Sequence, residues 1–246
     1  GRLRRRTALF QLFTGHALAH YGGGLYLDNS SATITNTAIT GNFADGGGLY
    51  LWNSSPSIRD TIIAFNWSGV REYGTSGAAT LRYNCVYGNT AYDYSGTSDP
   101  TGTDGNISAD PLFVRDPDPG PDGLWGTADD DFGDLRLKAG SPCINAGDPG
   151  FVASPGETDL DSHARVLCGQ VDMGAHEFGI GDYDCNQTVD LADLSAWDEC
   201  QTGPRYPPLS PLGKVGGSGC EAFDFDSDGD VDLGDFAGFQ RVFAGQ

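Results

Sequence analysis

Apolar and polar residues alternate in a pattern that repeats every 24 positions in the first third of the chain. Residues 22–42 read GGGLYLDNSSATITNTAITGN and residues 46–66 read GGGLYLWNSSPSIRDTIIAFN, so glycine, leucine, isoleucine and asparagine recur at matching places. A shorter copy, TLRYNCVYGN at residues 80–89, continues the register after the loss of one residue. Periods of about 20–50 residues are typical of stacked structural units.

Each copy predicts short strands with one buried face. Two leucines flank a tyrosine in LYL, and β-branched residues cluster around Ile34 and Ile58, as expected for half-buried strands. Asparagines recur at turns, where they tolerate left-handed backbone geometry and can bond to the equivalent residue one coil away. The pattern therefore predicts a parallel β-solenoid. A leucine-rich repeat would need a different leucine and asparagine spacing, and a β-sandwich is the plain alternative.

Residues 22–178 resemble the right-handed parallel β-helix proteins that bacteria secrete. The resemblance implies that the later part of this stretch finishes the last coils and caps the end of the helix. Residues 1–21 depart from the 24-residue register, so their place in a first coil stays open. The motifs that carry the resemblance are the GGGLYL coils, NCVYGN at 84–89, ADPLF at 109–113, DLRLKAGSPCINAG at 134–147 and VDMGAHE at 171–177.

A second repeat, with a period of 42, places acidic residues at alternate positions near the C terminus. Residues 182–193 and 224–235 each fit a twelve-residue loop that presents oxygens from its first, third, fifth, seventh, ninth and twelfth positions. Such a loop is predicted to bind one Ca²⁺ ion, and an acidic solvated tail is the alternative. The predicted ligands are Asp182, Asp184, Asn186, the Thr188 carbonyl, Asp190 and Asp193, and in the second loop Asp224, Asp226, Asp228, the Asp230 carbonyl, Asp232 and Asp235.

Two differences between the loops predict unequal affinities. The sixth position, where the backbone must turn sharply, is Gly229 in the second loop and Gln187 in the first. Glycine takes a positive φ without steric cost, whereas a β-carbon crowds the backbone there. The fifth position is Asp228 in the second loop but the uncharged Asn186 in the first. The second site is therefore predicted to be the tighter one.

The segment after each loop is predicted to be helical. With aspartate at the twelfth place and no evident helix before either loop, the pair resembles the duplicated loop–helix units of type I dockerins. The resemblance implies a module that docks onto a cohesin-like or other surface protein. Positions 191–192 and 233–234 lack the hydroxyl pairs of cellulosomal dockerins, so a cellulosome does not follow. The small core shared by the helices is predicted from Leu194, Trp197, Phe236 and Phe239.

The predicted fold is thus an all-β right-handed parallel β-helix followed by a small α-helical, two-loop calcium-binding domain of dockerin or EF-hand-like type. Residues 22–178 form the coils and cap, residues 179–181 a short flexible linker, and residues 182–246 the calcium-binding module. Because the sequence begins with glycine rather than methionine, we expect it to be the C-terminal piece of a longer protein.

Charge and cysteine content narrow the partners and the compartment. A formal net charge of −20 disfavours nucleic acid and anionic membranes, and no segment approaches the roughly 18 apolar residues of a membrane span. Six cysteines without metal-type CxxC spacing favour an oxidising, extracellular setting. Disulfides are predicted between Cys200 and Cys220 and between Cys143 and Cys168, with the remaining two cysteines free or paired elsewhere.

Other polar groups have plain structural interpretations. The acidic stretch 116–134 is predicted to be an exposed loop, with a further calcium site as the alternative. Arg59 and Arg82 are predicted to stack on an outer face, where β-helix lyases carry a basic catalytic residue, and a solvent-facing ladder is the simpler interpretation. A network of hydrogen bonds and ion pairs in the cap is predicted from His163, Arg165 and His176.

These observations predict a secreted or cell-surface protein without catalytic residues of its own. Its calcium-dependent module is predicted to tether it to a partner, and an association with polysaccharide is an open part of this hypothesis. The alternative is part of a polysaccharide lyase or glycoside hydrolase whose catalytic coils lie upstream or along the outer face. That alternative rests on analogy of fold alone.

Overall fold

The structure, a computed structural model, describes residues 7–9, 12–14, 17–74, 77–125, 127–201 and 220–244. Short strands make up most of its regular structure, and short helices appear only after residue 190 in this part of the chain. The strands are β1 (Thr7–Leu9), β2 (Leu12–Thr14), β3 (Ala17–Tyr21), β4 (Leu25–Asp28), β5 (Thr33–Thr35), β6 (Ala38–Thr40), β7 (Phe43–Asp45), β8 (Leu49–Trp52), β9 (Ser57–Arg59), β10 (Ile62–Ala64), β11 (Val70–Tyr73), β12 (Thr80–Arg82), β13 (Cys85–Tyr87), β14 (Tyr94–Ser95), β15 (Phe113–Arg115) and β16 (Asp134–Leu137).

Three four-stranded parallel sheets run side by side, and each coil contributes one strand to each sheet. The first sheet is β1-β5-β9-β12, the second is β2-β6-β10-β13 and the third is β4-β8-β11-β14. Leu25 pairs with Leu49 in the third sheet, at the predicted spacing of 24. In the first sheet Ile58 pairs with Leu81, which confirms the shorter third copy. The fold is mostly parallel β-sheet and solenoid-like, as the sequence predicts.

Strands β1, β2 and β3 belong to an earlier coil with a different spacing. Phe13 pairs with Ile39 in the second sheet, a separation of 26 residues, whereas Ile39 and Ile63 of the next coil are 24 residues apart. The departure of this first stretch from the 24-residue register therefore amounts to two residues in this sheet. A register shift between β3 and β7 accompanies the longer coil.

Asparagine side chains join successive coils inside the solenoid, as predicted. The Nδ2 of Asn42 donates to Oδ1 of Asn66 at 3.0 Å, and the Nδ2 of Asn66 donates to Oδ1 of Asn89 at 3.0 Å. A second ladder links Asn84 to Asn106 at 3.0 Å. All five side chains are buried, so each bond replaces water that the interior excludes.

The stretch after the last coil packs along the side of the solenoid. Asn106 and Ile107 continue the last coil, with Ile107 bridging in parallel to Cys85. Beyond them, β15 and β16 pair antiparallel, and their apolar side chains cover the outer face of the second sheet. We call residues 113–178 the tail. Its apolar side chains bury the outer face of the second sheet, whereas the sequence predicted that this stretch caps the end of the solenoid. The cluster includes Ala38, Ile62, Ala64, Phe113, Leu135, Leu137, Ile144 and Met173.

Basic residues of the tail form the predicted network. The buried guanidinium of Arg165 lies 3.0 Å from the Glu177 carboxylate, and the Nδ1 of His176 lies 2.9 Å from the Asp161 carboxylate. His163 approaches Asp159 at 3.9 Å. These contacts hold the tail together and confirm its structural role.

The arginine ladder is likewise confirmed. Arg59 and Arg82 pair in register across β9 and β12. Each guanidinium has a carboxylate beside it, Asp148 at 3.7 Å and Asp104 at 3.2 Å respectively. An ion-paired, solvent-facing ladder accounts for both residues.

The acidic stretch 116–134 is an exposed loop, as predicted. Its two arms meet at a bridge between Asp118 and Asp131, and the Asp131 carboxylate accepts from Arg115 at 2.7 Å. Among its described residues no group of three carboxylates converges as a metal site would require.

The C-terminal part packs a small aromatic core between short helices. They are α1 (Leu191–Leu194), α2 (Trp197–Cys200) and α3 (Leu233–Ala244), with a 3-10 turn at Cys220–Phe223. The four predicted core residues lie in one cluster, and Phe223 and Val231 join them. Trp197 contacts Phe236 and Phe239 with ring centroids 5.2 and 5.9 Å apart.

Two disulfides are present, one predicted and one not. Cys200 and Cys220 are bonded, as predicted. Cys168 is bonded to Cys185 of the first acidic loop, so the predicted bridge from Cys143 to Cys168 is wrong. Cys143 instead lies free and buried near Cys85 in the cluster beneath the tail. The described part of the chain contains no helix that is long and apolar enough to cross a membrane.

Candidate metal centre

The first acidic loop folds around two buried aspartates at its ends. Asp182 accepts the N–H of Asn186 at 3.0 Å and the N–H of Gln187 at 2.7 Å. Asp193 accepts the N–H of Tyr183 at 2.7 Å through one oxygen and that of Asp190 at 2.7 Å through the other. The loop is thereby closed by its own carboxylates before helix α1 begins.

The second loop repeats this arrangement. Asp224 accepts the N–H of Gly229 at 3.2 Å. Asp235 accepts from Phe225 at 2.7 Å and from Asp232 at 2.8 Å, matching the bonds of Asp193 in the first loop. Because the same bonds form 42 residues apart, the two loops are structural duplicates and not an irregular acidic tail.

Carboxylate oxygens converge in both loops. Groups of three offer oxygens that all lie within 4.8 Å of one another. An all-oxygen set at this separation suits a hard cation such as Ca²⁺ or Mg²⁺ better than a soft one. The first loop has one group, Asp182, Asp184 and Asp193. The second loop has two separate groups, one of Asp224, Asp226 and Asp228 and the other of Asp230, Asp232 and Asp235.

The remaining predicted ligands have other contacts. Asn186 accepts the N–H of Thr188 at 2.8 Å, and Asp190 accepts that of Ala192 at 2.6 Å as the N-cap of α1. Asp190 is not part of the converging group of its loop. In the second loop, Asp230 was predicted to contribute its carbonyl, but its carboxylate lies within the group.

The backbone turns sharply at two positions of each loop. The sixth position has φ of 69° at Gln187 and 88° at Gly229, as the turn requires. The fourth position is also left-handed, with φ of 59° at Cys185 and 60° at Ser227. This second turn had no signal in the sequence, because neither residue is a glycine. Three of these four residues carry a β-carbon, so three positions store backbone strain.

Burial and like charge make both sites unfavourable for free carboxylates. Burial raises the pKa of Asp182, and burial together with the nearby Asp235 charge raises the pKa of Asp224 to about 6. One oxygen of Asp224 is buried and has no hydrogen-bond partner among the residues that the structure describes. Since a buried, unpartnered carboxylate oxygen is costly, the second loop has a place for a cation next to Asp224.

A third group of possible ligands lies in the tail and was not found from the sequence. Asp159, Asp161 and His176 offer atoms within 4.8 Å of one another. However, the Asp159 carboxylate accepts three backbone N–H groups, from Asp161 at 2.9 Å, His163 at 2.8 Å and Glu177 at 2.9 Å. Its oxygens are thus engaged by the fold, and this group belongs to the tail network.

The first loop is attached to the tail. The Oε1 of Gln187 accepts the N–H of Gly140 at 2.7 Å, in addition to the disulfide at Cys185. Residues 179–181 were predicted to be a flexible joint, but Gly179 and Gly181 are buried and Gly181 donates to Ala222 at 2.6 Å. The linker is therefore a packed connection.

Comparison with known proteins adds no relative to these observations. No protein-family model matches the chain, and no curated protein or solved structure shows significant similarity to it.

Proposed function

We propose that residues 182–246 are a calcium-dependent tethering module of dockerin type that follows a secreted solenoid. The observation that carries the proposal is the duplication of the loops. Each one gathers at least three carboxylates within 4.8 Å and closes with the same backbone bonds to its last aspartate.

Calcium is the cation that fits this donor set best. The side chains that converge in the loops offer only oxygens, and the loops are twelve residues long, the length at which loops of this kind supply the six to eight oxygens that Ca²⁺ takes. Magnesium would demand a stricter octahedron and retain more water. The chain's net charge of −20 adds a general attraction for divalent cations.

A tethering role is supported by exposed leucines at equivalent places. Leu191 begins α1 and is 68% exposed, and Leu233 begins α3 and is 84% exposed. These are the positions at which the dockerin resemblance implies contact with a cohesin-like partner. Large apolar side chains that are exposed beside the loops suit a contact surface for another protein. We expect this surface to be complete only when calcium orders the loops.

An extracellular location agrees with the covalent structure. Two disulfides and the absence of a membrane-spanning helix in the described part of the chain fit a protein that works in an oxidising environment. Calcium is plentiful outside cells, so weak sites would be filled there.

Calcium titration of the full chain by calorimetry tests the metal part of the proposal. We expect two ions per chain, and Asp226→Asn should weaken one of the two affinities by about tenfold while leaving the other unchanged. The matched control is Asp122→Asn in the exposed loop 116–134, which removes the same charge outside the site. A stoichiometry other than two, or equal effects of the two variants, would contradict the proposal.

The tethering part is tested with purified cohesin domains on native gels, with calcium or with chelator. Complex formation should require calcium and should be lost in Leu191→Asp or Leu233→Asp. If calcium binds but none of the cohesin domains does, the module is a calcium site without this partner class.

A further inference from the structure

The outer face of the third sheet carries aromatic side chains in two rows. Inward leucines of β4 and β8 alternate with outward residues, which are stacked by the parallel register from coil to coil. The first row is Tyr26, Tyr50 and Arg71, and the second row is Asp28, Trp52 and Tyr73. The tail covers the second sheet, but its apolar cluster does not extend over this face.

The rings of each row stack on one another along the solenoid. Tyr26 and Tyr50 have centroids 5.4 Å apart and planes inclined by 9°. Trp52 and Tyr73 have centroids 4.9 Å apart and planes inclined by 26°. Together with Arg71, these four rings line a groove of about 500 Å³. Tyr73 is 53% exposed, and Tyr26 and Trp52 are half-buried, so ligands can reach these three rings, whereas Tyr50 is buried beneath Tyr26 and Arg71.

The groove is locally neutral. Arg71 is its only charged lining residue, and its guanidinium pairs with Asp45. The hydroxyl of Tyr92 donates to the same carboxylate at 2.5 Å, which fixes the pair in place. The guanidinium carbon also lies 5.9 Å from the centre of the Tyr50 ring. The one cation of the groove is therefore neutralised and held against an aromatic face.

We propose that this aromatic groove binds a neutral polysaccharide chain. The exposed parts of the Tyr26, Trp52 and Tyr73 rings can contact the apolar C–H groups of pyranose rings, and phenol, indole and guanidinium groups can bond to sugar hydroxyls at the rim. The proposal concerns the solenoid and does not depend on the calcium loops.

Charge decides between candidate ligands. Polyanions, including acidic glycans and nucleic acids, are repelled by a protein of charge −20 whose groove offers them no free cation. A basic peptide would find one carboxylate beside the groove, that of Asp28 at the end of the second row, and none among the described residues that line it, so it gains at most one local ion pair. A proline-rich peptide, which also docks on aromatic residues, is the competing ligand that the experiment must exclude.

The test uses the full chain in calcium, with xyloglucan, mixed-linkage β-glucan and galactomannan as neutral probes, and polygalacturonate and a proline-rich peptide as the others. Affinity gel electrophoresis should show retardation by at least one neutral polysaccharide and none by polygalacturonate. Trp52→Ala and Tyr73→Ala should each weaken binding at least tenfold. Because Tyr73 is largely exposed, its variant keeps the test valid if the Trp52 variant fails to fold.

Trp67→Ala is the matched control. Trp67 is 41% exposed on the same solenoid and contacts Phe43, but it lies outside the groove. We expect its removal to leave binding unchanged. The proposal is overturned if none of the neutral polysaccharides binds, if Trp67→Ala weakens binding as much as Tyr73→Ala, or if only the peptide binds.

Discussion

Gln187 offers a direct test of how backbone strain limits the first of the two proposed calcium sites. It occupies the sixth loop position at φ 69°, a conformation that costs a residue with a β-carbon roughly 1–2 kcal/mol. If the calcium-free loop relaxes from that strain, the strain has to be restored on binding and weakens the affinity for calcium. At the equivalent place the second loop has Gly229, which takes φ 88° freely.

The Gln187 side chain has a second role, which complicates a simple substitution. Its Oε1 accepts the N–H of Gly140 at 2.7 Å, an exposed bond worth about 0.5–1.5 kcal/mol at most. Gln187→Gly relieves strain but also loses this bond. Gln187→Ala loses the same bond and keeps the strain, so the comparison of the two variants isolates the backbone effect.

The expected difference is modest but measurable. Glycine gives back roughly 0.5–1 kcal/mol through its greater freedom in the calcium-free loop, which leaves a net gain of about 1 kcal/mol over alanine. That corresponds to about a fivefold tighter first site. Calorimetric titration of the full chain should resolve two affinities in the unmodified protein, the weaker one belonging to the loop that has Asn186 in place of Asp228. Only the weaker affinity should differ between the two variants. Equal affinities in Gln187→Gly and Gln187→Ala, or a change at the tighter site, would refute the reasoning.

Three further predictions concern the scaffold. Asn66→Ala should lower the free energy of unfolding by about 3 kcal/mol in chemical denaturation, because it leaves buried partners above and below without their bonds, whereas exposed Asn29→Ala should cost much less. Burial raises the pKa of Asp172 to about 7, so the native state holds a proton that the unfolded chain releases above about pH 4. Stability should therefore fall as pH rises from about 4 to 7, and melting curves at saturating calcium should show a weaker fall in Asp172→Asn. Cys185→Ser, which opens the bridge to Cys168, should destabilise the attachment of the first loop by about 3 kcal/mol, and an unchanged proteolysis pattern without reductant would count against it.

The repeat register was predictable because every stacked pair places the same residue type in the core. Leu25 over Leu49 and Ile58 over Leu81 follow directly from the sequence alignment of the coils. The coil at residues 7–21 was not predictable in the same way. Its two extra residues change the spacing, and a period inferred from later copies cannot reveal an earlier insertion.

The strands of the second sheet contain an indication of where the tail packs. Strands β6 and β10 are buried at all three positions, whereas β4 alternates between buried and half-buried residues. A strand that is apolar on both faces must be covered on both faces. The runs Ala38–Thr40 and Ile62–Ala64 thus indicate that something packs outside the second sheet, although they do not identify it as residues 113–178.

Only one of the two disulfides could be predicted from the sequence. The bridge at Cys200 and Cys220 closes one local segment, so spacing along the chain was sufficient. The bridge at Cys168 and Cys185 depends on how the tail meets the first calcium loop, which is a tertiary contact without a sequence signature. The converging carboxylates were predictable because the twelve-residue spacing itself specifies which side chains face the ion.

The two loops differ in a way that follows from their surroundings. The first loop has the poorer residues for a cation, Gln187 at the turn and Asn186 in the shell, but it is fixed to the tail by Cys185 and by the bond to Gly140. External anchoring lowers the entropy that the loop loses on binding, which offsets part of its strain. The second loop has no such disulfide and depends on glycine and on a fifth-position aspartate. Affinity in the first site should therefore depend on the tail, and affinity in the second should depend on its own sequence.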